Sequence, residues 1–380
     1  MKQGWTYKKF TDVCDVQYGY AFDSKCFTDD ESAMPLIRIR DVMRGYSETF
    51  YNGDIPEGYA INEGDYLVGM DGEFNIGRWG KRPGLLNQRV CKMATSSPLL
   101  YNQYMYYFMK VCLKSIEDET PFVTVKHLSA KRINQIQIPL PPLSVQQSIV
   151  AELDEINHLL SLKRKQLETY DKLAQSLFYE MFGDPVENEK GWEVKKLGEV
   201  CEKITDGTHK TPSYKESGVV FLSAKNVKNG YFNYDDCKYI GEDEFVELDK
   251  RCDPRKGDIV ITKSGSIGDC AILNAPFNVA FFESLALLKL RREVESQYIK
   301  AFIRNKQVQS EYIYDKIKGI AIKHLHLTEL KAMLIPLPPL PLQQQFAQRI
   351  EAIEAQKANV KAAIEKLGTL LAARMQYWFE

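Results

Sequence analysis

Side chains that hydrogen-bond well to nucleic acid gather in short polar stretches of this chain. Thr208, His209, Lys210, Thr211 and Tyr214 lie close together, followed by Lys225, Asn226 and Lys228, then by Lys263 and Ser264 beside a glycine-punctuated turn. The first half offers Arg38, Arg40 and Arg44, then Asn75 and Arg78, then Asn87, Gln88 and Arg89. Arg and Lys suit guanine edges or phosphates, Asn and Gln suit adenine, and Ser and Thr suit either, provided that rigid elements hold the loops that carry them. The chemistry on offer is recognition, and for each residue taken singly a solvated loop side chain is the competing reading.

Bond-making chemistry has no motif in the sequence. Adenine methyl transfer would use Asn/Asp-Pro-Pro-Tyr/Phe, whereas the nearest strings, Leu140-Pro141-Pro142-Leu143 and Leu337-Pro338-Pro339-Leu340, lack both the polar lead and the aromatic. A Walker A loop needs lysine after its last glycine, and Lys263-Ser264-Gly265-Ser266-Ile267-Gly268 has none. No nuclease-type carboxylate and lysine constellation stands out. Cysteines 14, 26, 91, 112, 201, 237, 252 and 270 form no Cys-x-x-Cys, and His324 and His326 lack further ligands at metal spacing. Reduced thiols, no metal and no catalytic residue are expected.

The elements that must position these residues come twice. Ile138-Pro139-Leu140-Pro141-Pro142-Leu143 recurs as Ile335-Pro336-Leu337-Pro338-Pro339-Leu340, each copy followed by a glutamine pair, Gln146-Gln147 and Gln343-Gln344. Val125-Lys126-His127-Leu128 matches Ile322-Lys323-His324-Leu325, and Gly4-Trp5 matches Gly191-Trp192. Arg40-Asp41-Val42 answers Lys225-Asn226-Val227, and Gly64-Asp65 with Gly72 answers Gly257-Asp258 with Gly265. The shared Lys-His pairs suit either phosphate contact or head-to-helix packing. The repeat predicts modules over 1–137 and 184–334, each followed by a helix, over 138–183 and 335–380.

Short β-type runs such as Leu36–Ile39, Asp258–Ile261 and Ala286–Leu290, with helical stretches near 101–115 and 297–315, give the modules an α+β texture. Along the first long helix Ile149, Leu153, Ile156, Leu160, Lys163, Leu167, Tyr170, Ala174, Leu177 and Met181 alternate at spacings of four and three. Phe346, Ile350, Ile353, Lys357, Val360, Ile364, Leu367, Leu371, Arg374 and Trp378 do the same along the second. Ser144 and Gln147 look like a capping box, and Pro341 suits a first turn. Helices of ~60 Å outreach modules of this size, so each stripe needs a long partner. Chain order then predicts two globular domains joined by two long antiparallel coiled-coil helices, a pseudo-two-fold internal repeat. Lys163 and Lys357 would either register that pair or snorkel.

A two-fold protein with two heads suits duplex DNA, one head per half-site. The chain holds 50 basic and 51 acidic side chains, with 17 of each in residues 1–137 and 24 of each in 184–334, so neither head shows the basic excess usual in proteins that bind DNA alone. Charges segregated on the fold, together with a partner that adds phosphate contacts, would reconcile the two. A coiled-coil scaffold whose heads bind proteins is the rival reading, and its best support is this balance. With no apolar run near ~18 residues and no apolar leader, a cytoplasmic protein without membrane contact is expected.

The duplicated Ile-Pro-Leu-Pro-Pro-Leu with Gln-Gln and a long helix, together with Thr205-Asp206-Gly207-Thr208-His209-Lys210-Thr211-Pro212 and Gly265-Ser266-Ile267-Gly268, resembles the DNA-specificity (S) subunit of type I restriction–modification systems. Tyr18-Gly19-Tyr20-Ala21-Phe22 is similar to the entry of another target-recognition-domain subtype of that family. The resemblance spans essentially the whole chain. It implies two target-recognition domains reading a split, asymmetric double-stranded DNA site, with helices that set the gap and dock two methyltransferase (M) subunits. Restriction (R) subunits would join the full complex. S-adenosylmethionine would serve the M subunits, and ATP and magnesium the R subunits, leaving this chain without a cofactor.

Overall fold

In the computed structural model, the described residues are 4–80, 82–120, 126–314 and 324–380. The chain divides into two compact units, Met1–Arg164 with Ala362–Glu380, and Lys165–Lys361.

In the first unit, β1 (Thr6–Lys9) leads into β2 (Cys14–Tyr18), β3 (Met34–Ile37) and a short turn of helix, α1 (Ile39–Val42). Then come β4 (Tyr66–Gly69), β5 (Ile76–Arg78), β6 (Gly84–Leu86), β7 (Val90–Thr95) and α2 (Asn102–Glu119). The order β2-β7-β4-β5 makes an antiparallel sheet, and β3 runs parallel to β6 in a second one. β8 (Gln137–Leu140) returns antiparallel to β1, and α3 (Leu143–Phe182) follows.

The second unit repeats this plan. β9 (Glu193–Lys196), β10 (Cys201–Asp206), β11 (Val219–Leu222), β12 (Ile259–Thr262), β13 (Cys270–Ile272), β14 (Val279–Phe281) and β15 (Leu285–Leu290) precede α4 (Ser296–Ile303). The order β10-β15-β12-β13 is the counterpart sheet, and β11 runs parallel to β14. β16 (Leu334–Leu337) closes on β9 and leads to α5 (Leu340–Phe379). An α+β fold carrying an internal repeat and two long helices is the architecture present.

The repeat reaches individual hydrogen bonds. The hydroxyls of Tyr104 and Tyr298, both fully buried, donate to the carbonyls of Pro139 and Pro336. Gln146 is also fully buried: its Oε1 accepts from the Tyr101 N–H at 2.8 Å, and its Nε2 donates to the Leu99 carbonyl at 2.8 Å and the Pro141 carbonyl at 2.9 Å. Gln343 does the same with the Glu295 N–H at 2.9 Å and the Pro338 carbonyl at 2.7 Å. Each glutamine ties the start of a long helix to the chain entering the module's own helix, so Gln343→Leu leaves the part-buried Glu295 N–H and the buried Pro338 carbonyl without partners. The expected cost is about 2–4 kcal/mol, from ~1–3 kcal/mol for the buried carbonyl and ~1 kcal/mol for the part-buried N–H, read as a lower urea midpoint. An unchanged midpoint contradicts this role.

Several expectations need correction. Boundaries at 137/138 and 334/335 cut β8 and β16, whose partners lie over a hundred residues upstream, and each helix begins only after the Pro-Pro pair, where the fixed proline φ suits a first turn. Ser144 lies inside α3 rather than at its cap, and Gln146 secures the helix start instead. The strand expected at Leu36–Ile39 stops at Ile37, where Asp41 accepts the Arg38 N–H and opens α1. The helix expected near 297–315 breaks after Ile303, and Asn305 caps a new short turn through the Gln307 N–H.

The seam residues Ile149, Leu153, Ile156, Leu160, Leu177, Phe346, Ile350 and Ile353 are buried, and Leu167, Ile364, Leu367 and Leu371 are half-buried. They do not form a free-standing stripe, however. Ile149 and Leu153 belong to the first unit's core, against which Leu371, Met375 and Trp378 pack. Leu177, Phe178, Met181 and Phe182 share the second unit's core with Phe346, Ile350 and Ile353. Within the second unit the helices run antiparallel: Asp171 meets Lys357 at 2.8 Å, and Phe178, further along α3, meets Phe346, earlier on α5. The buried Lys357 ammonium also reaches Glu354 at 3.0 Å and the Tyr231 hydroxyl at 3.1 Å, so it registers the helices rather than snorkelling.

Candidate nucleic-acid interface

Two of the second unit's polar stretches, those around Thr208 and Lys263, converge at the end of β10. There Gly207 runs so close to β14 that an added Cβ would lie 2.1 Å from the Phe281 carbonyl oxygen, a space that only glycine fits. The next residue is pinned on both sides: the Thr208 N–H donates to the Phe281 carbonyl and the Thr208 carbonyl accepts from the Glu283 N–H, both at 2.9 Å. The Lys210 N–H donates to the Thr208 hydroxyl at 3.1 Å, and this turn leaves His209, Lys210 and Thr211 exposed. Two further segments join the turn, since the Lys263 N–H donates to the Ser284 carbonyl and its own carbonyl accepts from the Leu325 N–H. Thr208, His209, Lys263 and Ser264 thus come together, with His324 beside Lys263.

Asp206 organises this tip from below. Its carboxylate pairs with the buried Lys263 ammonium and with Arg251 at 2.5 Å, and His209 lies 3.4 Å away while also bonding Glu283 at 2.6 Å. Burial alone would raise the Asp206 pKa, but the hydrogen bond and charge of Lys263, then those of Arg251, outweigh it and hold the carboxyl below the ordinary aspartate range. Tyr214 lies exposed on a neighbouring strand, with the Lys238 ammonium 3.8 Å from its ring centre.

The first unit repeats the scaffold with different side chains. Gly19 takes the place of Gly207, an added Cβ there lying 1.9 Å from the Asn87 carbonyl oxygen. The Tyr20 N–H donates to Leu86 at 2.9 Å and its carbonyl accepts from Gln88 at 2.7 Å, while Met70 bonds Arg89 and Leu128 as Lys263 bonds Ser284 and Leu325. Tyr18, Met70, Gln88 and Arg89 therefore occupy the positions of Asp206, Lys263, Glu283 and Ser284. Gln88 and Arg89 are exposed; Arg89 adopts a φ of 69° and reaches Asp71 at 3.4 Å, which His127 also bonds at 2.5 Å. Arg38, Arg40 and Arg44 are exposed on the α1 turn, which packs over β4 and β5, where Arg78 lies. Arg40 donates to Thr49 at 3.1 Å, Arg44 pairs with Glu48 at 3.3 Å, and Asn75 donates to Glu73 at 3.5 Å.

Three expected contact residues are structural instead. Asn87 is buried, its Oδ1 accepting from the Gln88 N–H at 2.9 Å. Asn226, also buried, accepts from the Ser223 N–H at 3.0 Å, as Asp41 does from Arg38 at 2.9 Å in the first unit. Lys263 is spent on Asp206. Lys225 is exposed but paired with Asp236 at 2.8 Å, and Lys228 lies apart from the tip, lining a cleft against the long helices. Lys126 donates to the Glu117 carbonyl at 2.6 Å, which is packing; Val125, Ile322 and Lys323 lie outside the described residues. His324 and His326 flank a helix start rather than sharing a strand face. Glu283 and Arg251 escaped the sequence reading, because only the fold brings them beside His209 and Asp206.

A family model described as the type I restriction modification DNA specificity domain matches residues 2–169 and again residues 189–367. The chain belongs to that family. The two matches coincide with the two copies of the scaffold, so the specificity domain is the repeating piece. The chain is similar to the EcoBI type I restriction enzyme specificity subunit of Escherichia coli, 27% identical over 97% of this chain and 85% of the relative. It is also similar to the MjaVIII specificity subunit of Methanocaldococcus jannaschii, 24% identical over 89% of this chain and 88% of that one. Two solved structures share the fold over 100% of this chain and 98% of theirs. One is a type I restriction-modification S subunit from M. genitalium, with a TM-score of 0.56 and 15% identity. The other comes from work on assembly and conformational transition of a type I R-M system, with a TM-score of 0.61 and 18% identity. No helix among the described residues is long and apolar enough to cross a membrane.

Proposed function

We propose that the chain is the recognition subunit of a type I restriction–modification complex and reads a split, asymmetric duplex site, one specificity domain per half. The observation that carries this reading is the pair of tips built on the same backbone bonds around Gly19 and Gly207 but faced with different side chains. Equal scaffolds suit equal groove geometry, and unequal side chains suit unequal sequences. The chain contributes no catalytic residue of its own. Two M subunits dock through α3 and α5 and R subunits complete the complex; S-adenosylmethionine belongs to the former, ATP and magnesium to the latter.

Methylome sequencing of cells expressing this chain with its cognate methyltransferase should return one bipartite methylated motif with unlike halves. Mobility shifts on random duplex, with and without methyltransferase, should weaken steeply between two salt concentrations. A methylome without any bipartite motif, with shifts indifferent to salt, would leave the protein-binding scaffold as the better account of the balanced charge.

A further inference from the structure

The cleft that Lys228 lines lies within the second unit, between residues 228–231, α4 and the facing stretches of α3 and α5, with a volume of about 820 Å³. Lys228, Lys300, Arg304, Lys306, Lys357 and Lys361 face it, against the carboxylates of Asp171 and Glu354. Arg304 is held by Asp269, which also accepts the backbone N–H groups of Asn229 and Gly230 and so fixes that rim. Lys357 takes up both lining carboxylates, at 2.8 Å from Asp171 and 3.0 Å from Glu354. Lys228, Lys300, Lys306 and Lys361 then have no carboxylate partner among the described residues.

Three ammonium groups crowd one aromatic ring: Lys361, Lys300 and Lys357 lie 4.7, 5.1 and 5.5 Å from the centre of Tyr231. Burial pushes the Lys300 pKa down; Cys270 and Glu354 pull it back up, and the charges of Arg304 and Lys357 push it down again. Six cations face three carboxylates here, Asp171, Glu354 and Asp269, and a multiply charged anion among the remaining lysines offsets the excess repulsion. The uncommitted groups are all lysines, compact point charges that gather around a phosphate without a fixed fork geometry, while the lining arginine is already engaged by Asp269.

We propose that this cleft is a phosphate-binding site, holding the phosphates of a free polyphosphate or of a nucleic-acid backbone through Lys228, Lys300, Lys306 and Lys361. It is separate from base reading at the tips and stands whether or not that reading does.

The full chain, titrated calorimetrically with inorganic pyrophosphate and in a second arm with a random-sequence duplex, tests it on wild type, Lys361→Gln and Lys300→Gln/Lys361→Gln. Lys361 is exposed, so its single variant should keep the wild-type thermal midpoint and separates lost binding from lost folding. Affinity should fall about fivefold in Lys361→Gln and tenfold or more in the double variant. Loss in the pyrophosphate arm identifies a free phosphate ligand, and loss confined to the duplex arm identifies the backbone. Wild-type affinity in the Lys361→Gln protein in both arms, or no binding by wild type in either, overturns the site.

Discussion

Replacing Lys263 with methionine lowers the stability of the second unit by about 3 kcal/mol, the low end of the ~3–5 kcal/mol for breaking a buried ion pair, because Arg251 still faces the carboxylate. For a unit of this size each kcal/mol shifts the melting midpoint by about 2–4 °C, so calorimetry should show a large displacement of one transition. The methionine fills the lysine stem's space but leaves the buried Asp206 carboxylate with the more exposed Arg251 and His209. Adding Asp206→Leu removes the stranded charge and should recover most of the loss. Failure of the second change to recover stability would show that packing, and not charge, dominates at this position.

The same pair fixes a direction with pH. The Asp206 pKa is depressed in the folded chain, so its contribution to stability is present above the unfolded aspartate value of about 3.9 and fades as pH falls through the lower folded value. Wild type should therefore lose stability in acid below about pH 4 more steeply than Lys263→Met, whose Asp206 has lost its main support.

The features legible in the sequence are those that depend on local spacing. The proline, glycine and glutamine punctuation survived in both copies because Gln146 and Gln343 each occupy a buried position that admits little else. The helix seam was legible because its residues are close in sequence. Pairings made across the fold were not. Lys263 and Asn226 have the residue types of DNA contacts, yet Lys263 finds Asp206 across the sheet and Asn226 closes its own turn. The β8 strand reads as the start of a helix unit until its partner β1 is known. Lys300 and Lys361 come from separate helices, and no string of residues announces their meeting at Tyr231.

Gly207→Val and Gly19→Val are expected to erase different halves of one DNA motif. Each valine Cβ would fall about 2 Å from a carbonyl oxygen of the opposing segment, Phe281 in one unit and Asn87 in the other, so the loop that follows must leave its dock. Only one unit is disturbed in each case. If specific recognition exceeds nonspecific binding by at least ~10³, loss of one half should cost affinity for the full site by roughly the square root of that ratio, and the surviving base preferences should be complementary between the two proteins. The double variant His209→Ala/Lys210→Ala removes two exposed side chains, one of which also pairs with Asp206 and Glu283, and should weaken the same half as Gly207→Val by about tenfold or more, at ~1–3 kcal/mol per lost base contact. Base-by-base selection on a randomised duplex, run with the methyltransferase-loaded complex, reads all three. Preference lost at the same positions in Gly207→Val and Gly19→Val would mean that the units do not read separate halves. Preference intact in the exposed double variant would move the contacts away from the tip that Asp206 supports.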